Sequence, residues 1–412
     1  MGRHLFHGGA VFDATGPEAA PQPAKPADVV IEDGRIVEVG PGLDGDDGVD
    51  CTGKTLIPGL FDCHTHVMVS HFDLWQMAQT PFSLPFFEAA RNLEATLAIG
   101  ITSIRDAGGS DLGVKTAVEH GLVNGPRMQI SITMLSQTGG HADTWMVCGG
   151  HYPFPFAMTH PGKPGAIVDG PTEMRRKVRE LIRAGADVIK VATSGGVLSP
   201  RDDPRHGHFR ADELDVLVAE AAAADRWVMA HAQATDGIKS AIRAGVRSIE
   251  HGIYLDDEAI EMMLDRGTFL VPTLMAPRGV IEAAAAGASV PTESLRKAEM
   301  VIDAHDQSVS RAIAAGVKVA MGTDSGVTPH GQNLRELALM ADRGMTPAQT
   351  LVATSRTAAE LLGVDDDLGT LEPGKRADIV VVDGNPLELD KLPDRIEAVW
   401  KDGRLAVVGT TA

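Results

Sequence analysis

Cysteine is scarce in this chain of 412 residues: Cys51, Cys63 and Cys148 are the three, and no two form a CxxC pair. So odd and sparse a set argues against a disulfide framework and against a cysteine-rich zinc site. No stretch of about 18 consecutive apolar residues occurs, so no membrane span is expected. The opening MGRHLFHGGAVFDATG lacks the apolar core of a signal peptide, and a cytoplasmic protein is the expectation. Positive charge is the minority sign. With 37 Lys and Arg against 56 Asp and Glu, the formal charge is −19, which argues against a nucleic-acid phosphate backbone as partner. Hydrophobic residues at 43% and charged residues at 23% are the balance of a soluble globular protein, and a chain of this size buries a full core without disulfide staples.

What is present falls into two textures. Residues 3–57 and 368–409 alternate short β-rich runs with Gly/Asp turns, and each carries a DGR hairpin, at Glu32–Val39 and Lys401–Val407. The spacing predicts that residues 1–57 plus 367–412 pair into one discontinuous β-sandwich domain. Residues 58–366 instead repeat strand then helix. Strands are expected at Leu60–His66, Thr102–Asp106, Met128–Ile132, Val188–Ala192, Val228–His231, Ser248–His251, Phe269–Leu274 and Lys318–Asp324. Helical segments between them stop at Gly185, Gly245, Gly267 and Gly316. Eight such units over about 300 residues indicate an α/β protein with a (β/α)8 (TIM) barrel. A doubly wound open sheet is the alternative, weakened because no GxGxxG turn follows the first strand.

Barrel enzymes collect their chemistry at the C-terminal strand ends. Here those ends carry His64 and His66, Lys190, His231, His251 and Asp324. His64 and His66, two apart on a strand, share a face and can grip one divalent cation, most often zinc. An accidental pair in a polar loop is the bland alternative. His231 and His251 close two adjacent strands and join the ligand set, although lone histidines are more often core or surface groups. A free ammonium at Lys190 is costly to bury. Reaction of its neutral amine with carbon dioxide gives a carbamate whose two oxygens can bridge two cations; a structural lysine paired with a carboxylate is the alternative. Asp324 can touch a metal, take a proton from a water and pass it to a leaving amine. A helix N-cap is its structural reading.

These residues resemble the amidohydrolase superfamily over nearly the whole chain. PGLFDCHTH is similar to its strand-1 signature, ADVIKVATSGG to its strand-4 lysine, VMAHAQ and SIEHG to its strand-5 and strand-6 histidines, MGTDSG to its strand-8 aspartate, and LEPGKRADIVVVDGNPL to its return into the sandwich. The resemblance implies two divalent metal ions, zinc by expectation, with His64 and His66 on the more buried one. His231 and His251 would hold the more exposed one, carbamylated Lys190 would bridge them, and Asp324 would be ligand and general base for a hydroxide held between the metals. Within the superfamily the chain looks most like the prolidase- and carboxypeptidase-type branch that includes ochratoxin-degrading amidases, through Thr138–Asp143 and IEHGIYLDDEAI. That branch implies a substrate-carbonyl contact for His141 and a homo-oligomer. Its dipeptide-cleaving members carry a tyrosine where this chain has Gln233, which leaves the contact to a substrate carboxylate open. Arg278, past strand 7, can pair with a substrate carboxylate or serve as a surface ion pair. The loops 148–165 and 194–209 can be lids or subunit contacts.

The expected activity is hydrolysis of an amide or peptide-type bond in a small molecule: an N-acyl amino acid, a dipeptide or an ochratoxin-like amide. Hydrolysis of a cyclic amide, lactone or carbamate by the same centre is the alternative. Deamination is disfavoured, because deaminase-like relatives usually lack the strand-4 lysine. An inactive binding protein on the same fold would have lost a ligand, and all six positions are filled.

Overall fold

The computed structural model describes residues 2–408 apart from 18–19, 72, 152–158 and 200. Its centre is a ring of parallel strands. Leu60–Thr65, Ile101–Asp106 and Arg127–Ile130 form one run of it. Met134–Leu135, Val188–Ala192, Trp227–Ala232, Ser248–His251 and Phe269–Val271 form the other. The third strand, expected as one piece over Met128–Ile132, is split, because Ile132 sits at φ 67° and turns the chain between its two partners. The seventh ends at Val271, ahead of the helix Met275–Ala285. The eighth position is not a regular ladder. It closes the ring through isolated pairings of Val319 with Leu270 and Ser325 with Thr65, helped by bonds from Cys63 N–H to the Met321 carbonyl (2.9 Å) and from Asp324 N–H to the His64 carbonyl (2.7 Å). The fold is therefore a TIM barrel with an added sheet region.

Helices clothe the ring because their apolar residues recur at helical spacing. In Pro171–Ala184, Met174, Val178 and Leu181 are buried against the sheet while the arginines between them face out. Each such buried leucine contributes roughly 1.5–3 kcal/mol relative to exposure. The expected glycine stops hold at Gly185, Gly245, Gly267 and Gly316, each in the left-handed conformation that ends a helix. Among the described residues no helix is long and apolar enough to cross a membrane, and all three cysteines are free.

The two ends of the chain meet in one six-stranded sheet. Arg404–Val408, Ile396–Lys401 and Ile379–Asp383 lead into Lys54–Pro58, then Ala10–Val11 and Lys25–Pro26. A four-stranded sheet of N-terminal strands packs over it, with Phe6, Val29, Ile31 and Ile36 against Leu56, Ile379 and Val381. Both hairpins turn on Asp-Gly, with positive φ at Asp33, Gly34, Asp402 and Gly403. The two turns abut: a Cβ on Gly403 would lie 2.7 Å from the Gly34 Cα, so only glycine fits there.

Candidate active site

Strand alternation delivers most of the chemistry to the barrel mouth. On the first strand Phe61 and Cys63 face the outer core while Asp62 and His64 face inward. Lys190 and His231 lie on the inward rows of the fourth and fifth strands, with Lys190 in register with Met229 and Ala192 with His231. On the sixth strand Glu250 already takes the inward position, so alternation alone would send His251 outward. A φ of 72° at His251 turns its ring into the cavity instead. Asp324, at φ 61°, is turned in the same way.

The result is a cluster in which each histidine spends one ring nitrogen on an anchor. His64 Nδ1–H donates to Glu250 Oε2 at 2.7 Å, and Glu250 is gripped in turn by Arg105 Nη2 at 2.9 and 3.1 Å. His66 Nδ1–H donates to the Gly108 carbonyl at 2.8 Å. His231 donates from Nε2 to the Gly195 carbonyl at 3.1 Å, and His251 Nδ1 bonds Thr273 Oγ1 at 2.6 Å. The second ring nitrogens of His64 and His66 both face Asp324, and anchoring of the first nitrogen is the arrangement that orients metal-binding imidazoles. His66 Nε2 lies 3.1 Å and His64 Nε2 3.4 Å from Asp324 Oδ1, and Lys190 Nζ is 3.3 Å from His64 Nε2. Ligand atoms of His64, His66 and Asp324 all lie within 4.8 Å of one another, so this trio fits a metal ion. His231 and His251 stand beside it with ring centroids 4.6 Å apart.

Protonation follows from burial and charge. Burial pushes the Lys190 amine down to about 8, against the pull of Glu250 and Asp324, so a neutral nucleophilic amine is accessible near neutrality. Burial also holds His64, His231 and His251 well below the usual imidazole range, with neighbouring positive charge adding to the effect. Neutral imidazole is the ligating form. Asp324 is held below the usual carboxylate range: burial opposes ionisation, but His64, His66 and Lys190 outweigh it.

The cluster floors a cavity of about 950 Å³ including its open mouth, walled by Val69, Met134, Leu198, Ile253, Val280 and Val327. His141 and Gln233 line it, as does His305, which was not foreseen. The His141 ring stacks on His231 with centroids 4.1 Å apart. Gln233 is buried with its Oε1 lacking a hydrogen-bond partner. Arg278 must be corrected as a substrate contact. It does not line the cavity; it donates to the Leu274 carbonyl at 2.9 Å and pairs with Asp306 at 2.8 and 3.0 Å. Of the two long loops, 194–209 supplies Val197, Leu198 and Ser199 to the wall. Part of 148–165, namely 152–158, lies outside the described residues.

Several supporting residues escaped sequence reasoning. Glu250 stands one place before His251, where simple alternation assigns one of the two to the outside. Arg105, Thr273, Asp202, Lys297 and His305 lie far along the chain from the groups they hold. Charged residues at the end of a fully buried strand, Arg105 and Asp106 in ITSIRD, were the one available signal.

A parallel-stranded barrel with this histidine, lysine and aspartate set at its mouth defines a hydrolase of a known architecture. The chain belongs to the amidohydrolase family, whose pattern matches residues 55–408. It is 37% identical over 367 residues to ochratoxinase of Aspergillus niger, a match covering 85% of this chain and 75% of that protein. Among solved structures it resembles a Xaa-Pro dipeptidase with methionine bound in its active site (32% identity, TM-score 0.88, 98% of this chain and 99% of that one). It also resembles a prolidase complexed with N-methylphosphonate-L-proline (36% identity, TM-score 0.89, 99% and 100% coverage).

Proposed function

We propose that this protein is a metal-dependent hydrolase of an amide or peptide-type bond in an N-acyl amino acid, a dipeptide or an ochratoxin-like amide. One observation carries the reading: His64, His66, Lys190, His231, His251 and Asp324 converge on one cavity, with the outer nitrogen of every histidine already anchored. His64, His66 and Asp324 would hold one cation and His231 and His251 a second, with Lys190, as its carbamate, between them. Two divalent cations supply a lowered water pKa and a polarised scissile carbonyl when bound.

The protein's own groups do the rest. Asp324, ionised in the resting site, accepts a proton at Oδ from the attacking water. It then carries that proton to the leaving nitrogen. His141 presents Nε2 to the cavity, where it meets the substrate carbonyl and the charge that gathers there. The apolar wall of Val69, Leu198, Ile253 and Val280 takes a hydrophobic substituent and excludes water. The names of the relatives, an ochratoxinase and dipeptidases for Xaa-Pro bonds, support an amide between an acyl group and an amino acid.

A second reading has its own support. Apart from Lys190, the described lining residues include no lysine or arginine, which suits an uncharged cyclic amide, lactone or carbamate. Metal content and turnover of wild type and Lys190→Ala, on N-acyl amino acids, dipeptides, ochratoxin A and neutral cyclic substrates, separate the two. About two metals per chain and amide cleavage abolished by Lys190→Ala supports the first reading. Two metals with turnover confined to the neutral substrates supports the second, and undiminished activity in Lys190→Ala rejects both.

A further inference from the structure

Two buried charges that the hydrolytic cluster does not use meet at the loop after the fourth strand. Asp202 and Lys297 have side chains 1% and 2% exposed and meet at 3.1 Å. Lys297 comes from the long helix Thr292–Ala315 and also donates to the carbonyls of Gly196 (3.2 Å), Ser199 (2.8 Å) and Asp202. Asp202 accepts from Gly196 N–H at 3.1 Å and from the Ser199 hydroxyl. Its remaining approach is from His141, whose Nδ1 is 3.3 Å from Oδ2 and 2.8 Å from Ser199 Oγ. Every acceptor of the carboxylate is engaged.

The imidazole sits in a built slot. One face stacks on His231 at 4.1 Å. Gly196 approaches the ring closely as well: an added Cβ there would fall 2.2 Å from the His141 Cε1. A buried ion pair is seldom more stabilising than apolar residues of the same shape, so stability alone does not account for two buried charges here. Orientation does. With Nδ1–H donated to Ser199 and Asp202, the ring cannot flip without losing a buried bond, and Nε2 is the atom left to face the cavity.

We infer that Asp202, relayed through Ser199 and backed by Lys297, is a positioning residue that fixes the tautomer and direction of His141. The inference rests on the reading of His141 as a substrate-facing group. It couples the loops after the third and fourth strands to a helix 95 residues further on through a single ammonium.

A double-mutant cycle tests this, with N-acetyl-L-phenylalanine as probe and metal content measured in every variant. Asp202→Asn is expected to lower kcat about 10–100-fold with KM little changed and metals retained. In a His141→Asn background the same substitution is expected to cost nothing further. Ser199→Ala, a milder change, should show the same non-additivity if Asp202→Asn folds poorly. Equal losses in both backgrounds, or no loss in either, overturn the inference. Nitrogen-15 resonances of the histidine rings at constant pH give a readout without turnover. The Nδ1 signal absent from His141→Asn should move in Asp202→Asn, and an unmoved signal overturns the inference. If wild type leaves the probe and all other amides intact, the proposed function falls, while the ring signals still decide the role of Asp202.

Discussion

The sandwich and the barrel mouth both hold non-glycine residues at positive φ, but for opposite reasons. In the sandwich hairpins these are Asp33 and Asp402, each followed by glycine in a tight turn. Aspartate tolerates that conformation, and the turn matches the twist of the strands it joins. At the mouth they include His251, Thr273 and Asp324, of which threonine is β-branched and poorly suited to it. Such residues cost about 1–3 kcal/mol each and persist only where their surroundings hold them. His305 supplies one restraint, donating from Nε2 to the carbonyls of His251 (3.0 Å) and Pro272 (2.8 Å). Local chemistry thus suffices for the sandwich, whereas the mouth is shaped against local preference by distant groups.

That contrast predicts separable losses. The largest is expected for Asp324→Asn, which should lower kcat about 10²–10⁴-fold while leaving the melting temperature near that of wild type. Steady-state kinetics beside a calorimetric melt checks it, and retained kcat would remove Asp324 from the proton path. Glu250→Gln should blur the comparison, since Glu250 both orients His64 and neutralises buried Arg105. Metal affinity is expected to weaken about 10–100-fold, visible by titration with a chelator. Leu56→Ala, in the sandwich core, should cost about 2–5 kcal/mol in denaturant unfolding with kcat per folded molecule unchanged. Gly403→Ala should cost about 1–3 kcal/mol by the same measurement, because the left-handed turn and the Gly34 contact both refuse a Cβ.

The last expected effect is on pH dependence. Burial raises the Glu336 carboxyl from 4.5 to about 8, against the bonds it accepts from Leu274 and Met275 N–H. The folded state therefore binds this proton more tightly than the unfolded chain. Its contribution is complete below pH 4.5, declines as pH rises and is gone above about 8. Melting temperatures of wild type and Glu336→Gln across that window should differ in slope, with wild type falling more steeply. Parallel curves would show that Glu336 stays ionised throughout.

Legibility in the sequence divides along the same line. The hairpins at Glu32–Val39 and Lys401–Val407 and the four glycine helix stops could be read because each depends on a few adjacent residues. The strand ends carrying His64, Lys190 and His231 could be read because alternation puts them inward. The break at Ile132, the early end of the seventh strand and the irregular eighth depend on partners elsewhere in the ring. Arg278 was misplaced for the same reason: its partner, Asp306, lies 28 residues away on another helix.

The sequence by itself determined the order of strands and helices, the pairing of the two chain ends and which histidine, lysine and aspartate side chains could meet at the strand ends. Those follow from side-chain periodicity and from the chemistry of individual residues, both local properties. Only the tertiary structure decided that His251 turns inward beside Glu250, that Arg278 faces Asp306, and that Asp202, paired with Lys297, meets His141. Those depend on which charges are buried together, and burial is a property of the whole packed chain.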